Sequence, residues 1–124
     1  MSKPVLYHLK GAISHIFMMI DRHSKLIAKL LIVKVVHILV IDDNPTDRLL
    51  VKRELERQFS QLQITEICDD RLFGEALKRG GFHLVITDYQ VRWTNGLDVL
   101  QTIKASYPEC PILMFTNTAT KKLL

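Results

Sequence analysis

Cysteine and long apolar runs are scarce in this sequence, and each scarcity excludes a class of protein. The 124 residues contain only two cysteines, Cys68 and Cys110, which lack metal-ligand spacing. We therefore expect free thiols rather than a zinc site or a disulfide framework. The uncharged run "GAISHIFMMI" has ten residues, whereas a membrane-spanning helix needs roughly 18–20 apolar residues. The sequence thus predicts one modest globular core.

A net excess of basic charge is also lacking outside the N-terminal segment, although the formal net charge of the chain is +4. Residues 1–36 hold six of the 17 Lys and Arg residues but one of the 13 Asp and Glu residues. The rest of the chain is therefore close to neutral. This distribution gives no support to a nucleic-acid-binding domain, which needs a basic face of its own.

The N-terminal segment, residues 1–34, is interpreted as a basic amphipathic extension. Apolar residues recur at helical spacing from Ile13 to Leu31, which predicts a helix there. We expect this helix to pack on the protein or to form a leader. The alternative is a helix that lies on a membrane surface.

Residues 35–124 show alternating strand and helix patterns. Apolar runs predict strands at 35–41, 83–88 and 111–116, and "LQITEI" (62–67) is a further strand candidate. Three amphipathic stretches between these four segments predict helices. Asn44 and Pro45 suit the cap and the first position of the first helix. The apolar face of that helix is expected to comprise Leu49, Leu50, Leu55 and Phe59. Short connections in a β-α-β order predict an α/β fold with a doubly wound parallel sheet.

Oxygen-bearing side chains stand where three of these strands end. Asp42 and Asp43 follow the first strand, Asp88 ends the third, and Thr116 ends the fourth. Functional groups of open parallel sheets gather at the carboxyl ends of the strands. Neighbouring carboxylates repel unless a cation intervenes, and oxygen ligands suit Mg²⁺. The pattern indicates a magnesium pocket in which Asp88 could act as a nucleophile toward phosphorus.

These residues resemble the receiver domain of two-component response regulators. The resemblance runs through "VVHILVIDDNPTDR", "HLVITDYQVRWTNGLDVL" and "CPILMFT", about residues 35–117. It implies a CheY-like (flavodoxin-like) fold with Mg²⁺ bound by Asp43, Asp88 and the backbone carbonyl of Gln90, assisted by Asp42. It also implies that Asp88 is the phosphoacceptor and that Thr116 provides the switch hydroxyl.

The same resemblance implies the partners and the setting. The phosphoryl donor is expected to be a sensor histidine kinase or a histidine phosphotransfer protein in the cytoplasm, and a homodimer is possible. The domain is expected to be a signalling module rather than an enzyme, with at most autophosphatase activity.

The sequence departs from the family at three places. Arg92 stands where proline is common, and Asn117 stands where a small residue is common. After residue 117 the pattern of a final helix, strand and helix is missing, and Lys121 and Lys122 come too soon to replace the family's lysine. We therefore expect an incomplete receiver of four strands whose fourth strand is a sheet edge.

Two explanations of this ending remain open. Either the stripe Ile13–Leu31 covers the vacated face, or the chain is a truncated reading frame whose leader is upstream sequence, with the domain starting near "VKVVHILVIDD". The functional alternative is a pseudo-receiver, a module that binds partners without phosphorylation.

Overall fold

The computed structural model describes residues 5–8, 16–20 and 34–117, and for 5–8, 16–20 and 115–117 only the backbone. The described part contains eight strands and three helices. The strands are β1 (Val5–His8), β2 (Ile16–Ile20), β3 (Val36–Ile41), β4 (Leu62–Ile67), β5 (Leu84–Asp88), β6 (Gln90–Val91), β7 (Thr94–Asn95) and β8 (Ile112–Asn117). The helices are α1 (Pro45–Gln58), α2 (Asp70–Arg79) and α3 (Gly96–Ser106).

The main sheet has the order β1-β2-β8-β5-β3-β4. Its β8-β5-β3-β4 part is parallel, and the four strands begin and end within one residue of the bounds expected from the sequence. The doubly wound parallel fold is thereby confirmed. The strand order reverses between β3 and β5, which is where such sheets place their functional sites.

Both faces of the central strands β3 and β5 are buried. On β3, Ile38 and Val40 pack toward α1, where they meet Val51 and Leu55. Alternate residues of the same strand belong to a second cluster on the opposite face. That cluster joins β3 to α2 and α3 and includes Leu39, Ile41, Phe73, Ala76, Val99 and Ile103. Continuous apolar strands are typical of a sheet covered in this way.

Helix α1 begins as the sequence predicts. The side chain of Asn44 accepts hydrogen bonds from the backbone N–H groups of Thr46 and Asp47, and Pro45 occupies the first position. Its predicted apolar face is wrong at one residue, since Leu49 is 44% exposed. Val51 is buried instead, because it lies four residues before Leu55 on the same side of the helix.

The predicted N-terminal helix is wrong where the structure describes it. Ile16–Ile20 forms β2, which pairs antiparallel with β8 and, on its other side, with β1. The rest of the stripe from Ile13 to Leu31 lies outside the described residues. A short apolar run suits a helix or a strand by periodicity alone, and here unpaired backbone groups of β8 provide a partner.

The expectation that β8 forms a sheet edge is therefore also wrong, since β2 covers it. The division of the chain into residues 1–34 and 35–124 stays a prediction. None of the helices in the described ranges combines the length and apolar character needed to span a bilayer.

Candidate functional site

Asp42 is a fully buried carboxylate directly after β3. Its backbone N–H donates to the carbonyl of Ile67 at 3.1 Å, which fixes the chain against β4. Its Oδ1 accepts a hydrogen bond from the backbone N–H of Asn44 at 2.9 Å. Its Oδ2 is buried and has no protein partner. An unsatisfied buried carboxylate oxygen is costly, so this atom is a candidate for contact with a cation.

Asp88 ends the neighbouring strand at the same edge of the sheet. Ile41 of β3 pairs with Thr87 of β5, so Asp42 and Asp88 follow this pair side by side. Burial raises the pKa of Asp42 to about 7, and the charge of Asp88 adds to that increase. Burial also raises the pKa of Asp88 to about 6, against hydrogen bonds from the backbone of Gln90 and Tyr89. The buried Asp42 and the half-buried Asp88, both with raised pKa values, mark a candidate functional site.

Asp47 belongs to the same group of acids, which sequence reasoning missed. It lies in the first turn of α1, and its charge contributes to the raised pKa values of both Asp42 and Asp88. The pKa of Asp47 is itself raised, first by burial and then by Asp43. The signal in the sequence was its position four residues after Asp43, at the start of a helix that begins beside the acidic pair.

The loop after Asp88 folds into a small antiparallel ribbon. Gln90 pairs with Asn95 and Val91 with Thr94, which leaves Arg92 and Trp93 as a two-residue turn. The backbone N–H of Arg92 donates to Oδ2 of Asp43 at 2.8 Å. The ribbon thus connects the acidic pair to the strand that carries Asp88.

The ribbon is fixed from beneath by aromatic packing and by a helix cap. The ring of Trp93 lies 5.6 Å from that of Phe73, centroid to centroid. The side chain of Asn95 accepts from the backbone N–H of Asp98 at 2.9 Å and caps α3. The backbone N–H of Gly96 bonds to the carbonyl of Tyr89. These contacts set the position of the loop that follows Asp88.

Arg48 holds the acidic pair from the other side. Its Nη1 donates to the backbone carbonyl of Asp42 at 2.8 Å, and its Nε donates to Glu66 at 2.9 Å. Lys52 also bonds to Glu66, and these two basic side chains lower the pKa of that carboxyl. Because the Arg48 side chain is only 15% exposed, we interpret it as a structural support for the turn after β3.

Thr116 lies on β8, beside β5. Asp88 pairs with Phe115, so the backbone register places Thr116 one residue further toward the carboxyl edge. Lys121 and Lys122 lie outside the described residues. The structure thus brings together the strand ends that carry Asp42, Asp43, Asp88 and Thr116.

The acidic residues suit Mg²⁺, which needs few protein ligands, better than a metal ion that is coordinated entirely by protein side chains. Within the described ranges, no three His, Cys, Asp or Glu side chains converge as a metal cluster. Mg²⁺ commonly binds through one or two carboxylates and keeps several waters. The unpartnered Oδ2 of Asp42 and the mutual repulsion of the acids suit such a cation.

Comparison with known proteins identifies the family. Residues 38–124 match the family model of the response regulator receiver domain. The chemotaxis protein CheY-3 of Vibrio cholerae serotype O1 is 35% identical over 89 residues, which are 68% of this chain and 66% of that protein. The chain spans about two thirds of the length of the curated relatives it matches.

Solved structures show the same fold. The MaeR response regulator bound to beryllium trifluoride matches with a TM-score of 0.60 at 20% identity, covering 66% of this chain and 67% of that one. A response regulator receiver protein from Pseudomonas putida matches with a TM-score of 0.50 at 25% identity, covering 61% and 62%. The parallel sheet and the matched family model agree, and this chain therefore belongs to the response regulator receiver family.

Proposed function

We propose that this receiver domain accepts a phosphoryl group on Asp88 in a Mg²⁺-dependent step of a two-component phosphorelay. The observation that carries the proposal is the acid group at the strand ends, where Oδ2 of the buried Asp42 has no protein partner. Burial and like charge raise the pKa values of Asp42 and Asp88. A divalent cation would relieve this repulsion, and the family binds Mg²⁺ in general.

Asp43, Asp88 and the backbone carbonyl of Gln90 would hold the ion, with Asp42 assisting. When bound, Mg²⁺ neutralises charge on the oxygens of the phosphoryl group during transfer. Two carboxylates and one carbonyl leave room for waters, in keeping with the preference of Mg²⁺. The raised pKa values predict that the metal binds better as the pH rises through about 6 to 7, when the carboxyls lose their protons.

Asp88 would act as the nucleophile. With a pKa of about 6 it is mostly ionised at neutral pH. Its carboxylate oxygen attacks the phosphorus of a phosphohistidine, an O–P bond forms as the P–N bond breaks, and the leaving imidazole takes up a proton. The backbone N–H groups of Tyr89 and Gln90 stabilise the ionised carboxylate and orient it for attack.

Thr116 would report the phosphorylated state. Its hydroxyl would donate a hydrogen bond to a phosphoryl oxygen, and this contact would favour the active conformation over the inactive one. The support is its place on β8, one residue beyond the partner of Asp88. A conservative Thr116→Ser change retains the hydroxyl, whereas Thr116→Ala removes it. We expect phosphorylation of both variants but a weakened conformational response only in the second.

The proposed donors are a sensor histidine kinase or a histidine phosphotransfer protein, and the proposed location is the cytoplasm. We propose a signalling module with at most autophosphatase activity. Neither nucleic acid nor a membrane is part of the proposal. Sedimentation of the phosphorylated and the unphosphorylated protein would determine whether either form is a homodimer.

Incubation with acetyl phosphate tests the proposal without knowledge of the kinase. Intact-mass analysis should detect one added phosphoryl group in the presence of Mg²⁺ and none with EDTA. Asp88→Asn should remain unmodified, and Asp98→Asn, on the exposed start of α3, should react like the wild type. An Asp88→Asn protein that still gains the phosphoryl group would remove Asp88 from its assigned role.

A phosphorylation-independent interaction module is the second candidate. The contact between Arg92 and Asp43 favours it, because a carboxylate proposed as a metal ligand already has a basic neighbour. Mg²⁺ titration followed by the fluorescence of Trp93 separates the two functions. A saturable change favours the phosphoacceptor, and no response at millimolar Mg²⁺ favours the interaction module.

A further inference from the structure

Arg92 contacts Asp43 in two ways, and the second is independent of the backbone. Its N–H donates to Oδ2 at 2.8 Å, and its Nε lies 3.7 Å from the same oxygen. The Arg92 side chain is 87% exposed, whereas that of Asp43 is 23% exposed. The guanidinium therefore lies at the outer side of the carboxylate, where solvent or an ion would reach it.

We propose that Arg92 competes with Mg²⁺ for Asp43 and so lowers the metal affinity of this receiver. The inference rests on the proposed function, in which Asp43 is a metal ligand. A cation near the ligand oxygen stabilises the metal-free form and repels an incoming divalent ion. Binding of Mg²⁺ then requires the Arg92 side chain to move away from Oδ2.

The geometry makes this movement easy. Within the described ranges, the Arg92 side chain has no other hydrogen bond or ion pair. Arg48 is the contrasting case, since its guanidinium bonds to both Glu66 and the carbonyl of Asp42 and is largely buried. Arg92 can leave its carboxylate at small cost, whereas Arg48 is fixed.

The contact with Asp43 depends on which residue occupies position 92, the first residue of the two-residue turn between β6 and β7. A proline, which is common at this position in the family, has no N–H to donate and no charge. Arginine provides both the hydrogen bond and the nearby cation. The domain thus carries at this position a feature that adjusts the Mg²⁺ concentration needed to load the site.

Three variants of the full chain separate the charge from the backbone contact. Arg92→Gln removes the guanidinium but retains the N–H, and Arg92→Lys retains a positive charge. Arg71→Gln is the matched control, because Arg71 is 71% exposed and pairs with Glu75 on α2 rather than with the acid group. The readouts are the Mg²⁺ dissociation constant from calorimetry and the increase in melting temperature on adding Mg²⁺.

We expect Arg92→Gln to bind Mg²⁺ about 2- to 5-fold more tightly than the wild type, as for loss of an exposed ion pair. The Mg²⁺ affinity of Arg92→Lys should lie between those of Arg92→Gln and the wild type. The affinity of Arg71→Gln should stay near that of the wild type. Because salt screens exposed charges, the gain should shrink near ~1 M salt.

Two negative results have different meanings. Equal Mg²⁺ affinity of Arg92→Gln and Arg71→Gln, or weaker binding by Arg92→Gln, would overturn the competition while leaving the metal site intact. A wild-type protein that does not bind Mg²⁺ at all would overturn the proposed function, and the competition with it.

Discussion

Replacing Asp42 by asparagine should stabilise the metal-free protein at alkaline pH. Asp42 is 0% exposed, and its pKa is raised from 3.8 to about 7. The folded protein therefore holds a proton that the unfolded chain has already lost. Because the folded state binds more protons in this range, its stability falls as the pH rises from about 4 to 7.

The size of the stability loss between pH 5 and pH 8 follows from the part of this range that lies above pH 5. About two pH units at about 1.4 kcal/mol each correspond to a loss of about 3 kcal/mol between pH 5 and pH 8. Asparagine retains an acceptor for the N–H of Asn44 but does not ionise. Its amide nitrogen takes the place of Oδ2. If that nitrogen has no hydrogen-bond partner, the free energy of unfolding falls by about 1–3 kcal/mol at every pH.

Urea unfolding in EDTA at pH 5 and pH 8 measures the effect. The free energy of unfolding of Asp42→Asn, relative to the wild type, should increase by about 3 kcal/mol from the lower to the higher pH. Asp70→Asn, on the exposed start of α2, is the control and should give the same difference at both pH values. If the difference between Asp42→Asn and the wild type did not change with pH, the raised pKa assigned to the buried carboxyl of Asp42 would be refuted.

Two further predictions concern the parts of the fold that position the site. His83→Leu should lower the free energy of unfolding by about 1–3 kcal/mol, because Nδ1 of His83 accepts the backbone N–H of His37 at 2.9 Å. His83→Asn, which offers another acceptor, should recover part of the loss in urea unfolding, and equal losses would contradict the role of that bond. Asn95→Ala should cost about 1 kcal/mol through loss of the cap on α3. Asn95→Asp should retain most of the stability. An Asn95→Ala protein with an unchanged free energy of unfolding would show that this cap does not stabilise the fold.

The parallel core could be predicted because its patterns are local. Continuous apolar runs indicate buried strands, and the cap at Asn44 marks the start of α1 within the sequence itself. The convergence of Asp42 and Asp88 was also predictable, since the carboxyl ends of parallel strands meet at one edge.

The remaining features depend on tertiary contacts that the sequence does not specify. Strand β2 exists in the structure because β8 offers it a pairing edge, whereas its apolar spacing also suits a helix. The contact of Arg92 with Asp43 depends on how the ribbon after Asp88 turns back toward β3.

The position of the phosphoryl group tests the central claim most directly. An aspartyl phosphate is an acyl phosphate, which borohydride reduces to homoserine at the modified residue. After reaction with acetyl phosphate and Mg²⁺, peptide mass spectrometry of the reduced protein should find homoserine at position 88. Homoserine at position 42, 43 or 47, or at none of the aspartates, would contradict the assignment of Asp88 as the phosphoacceptor.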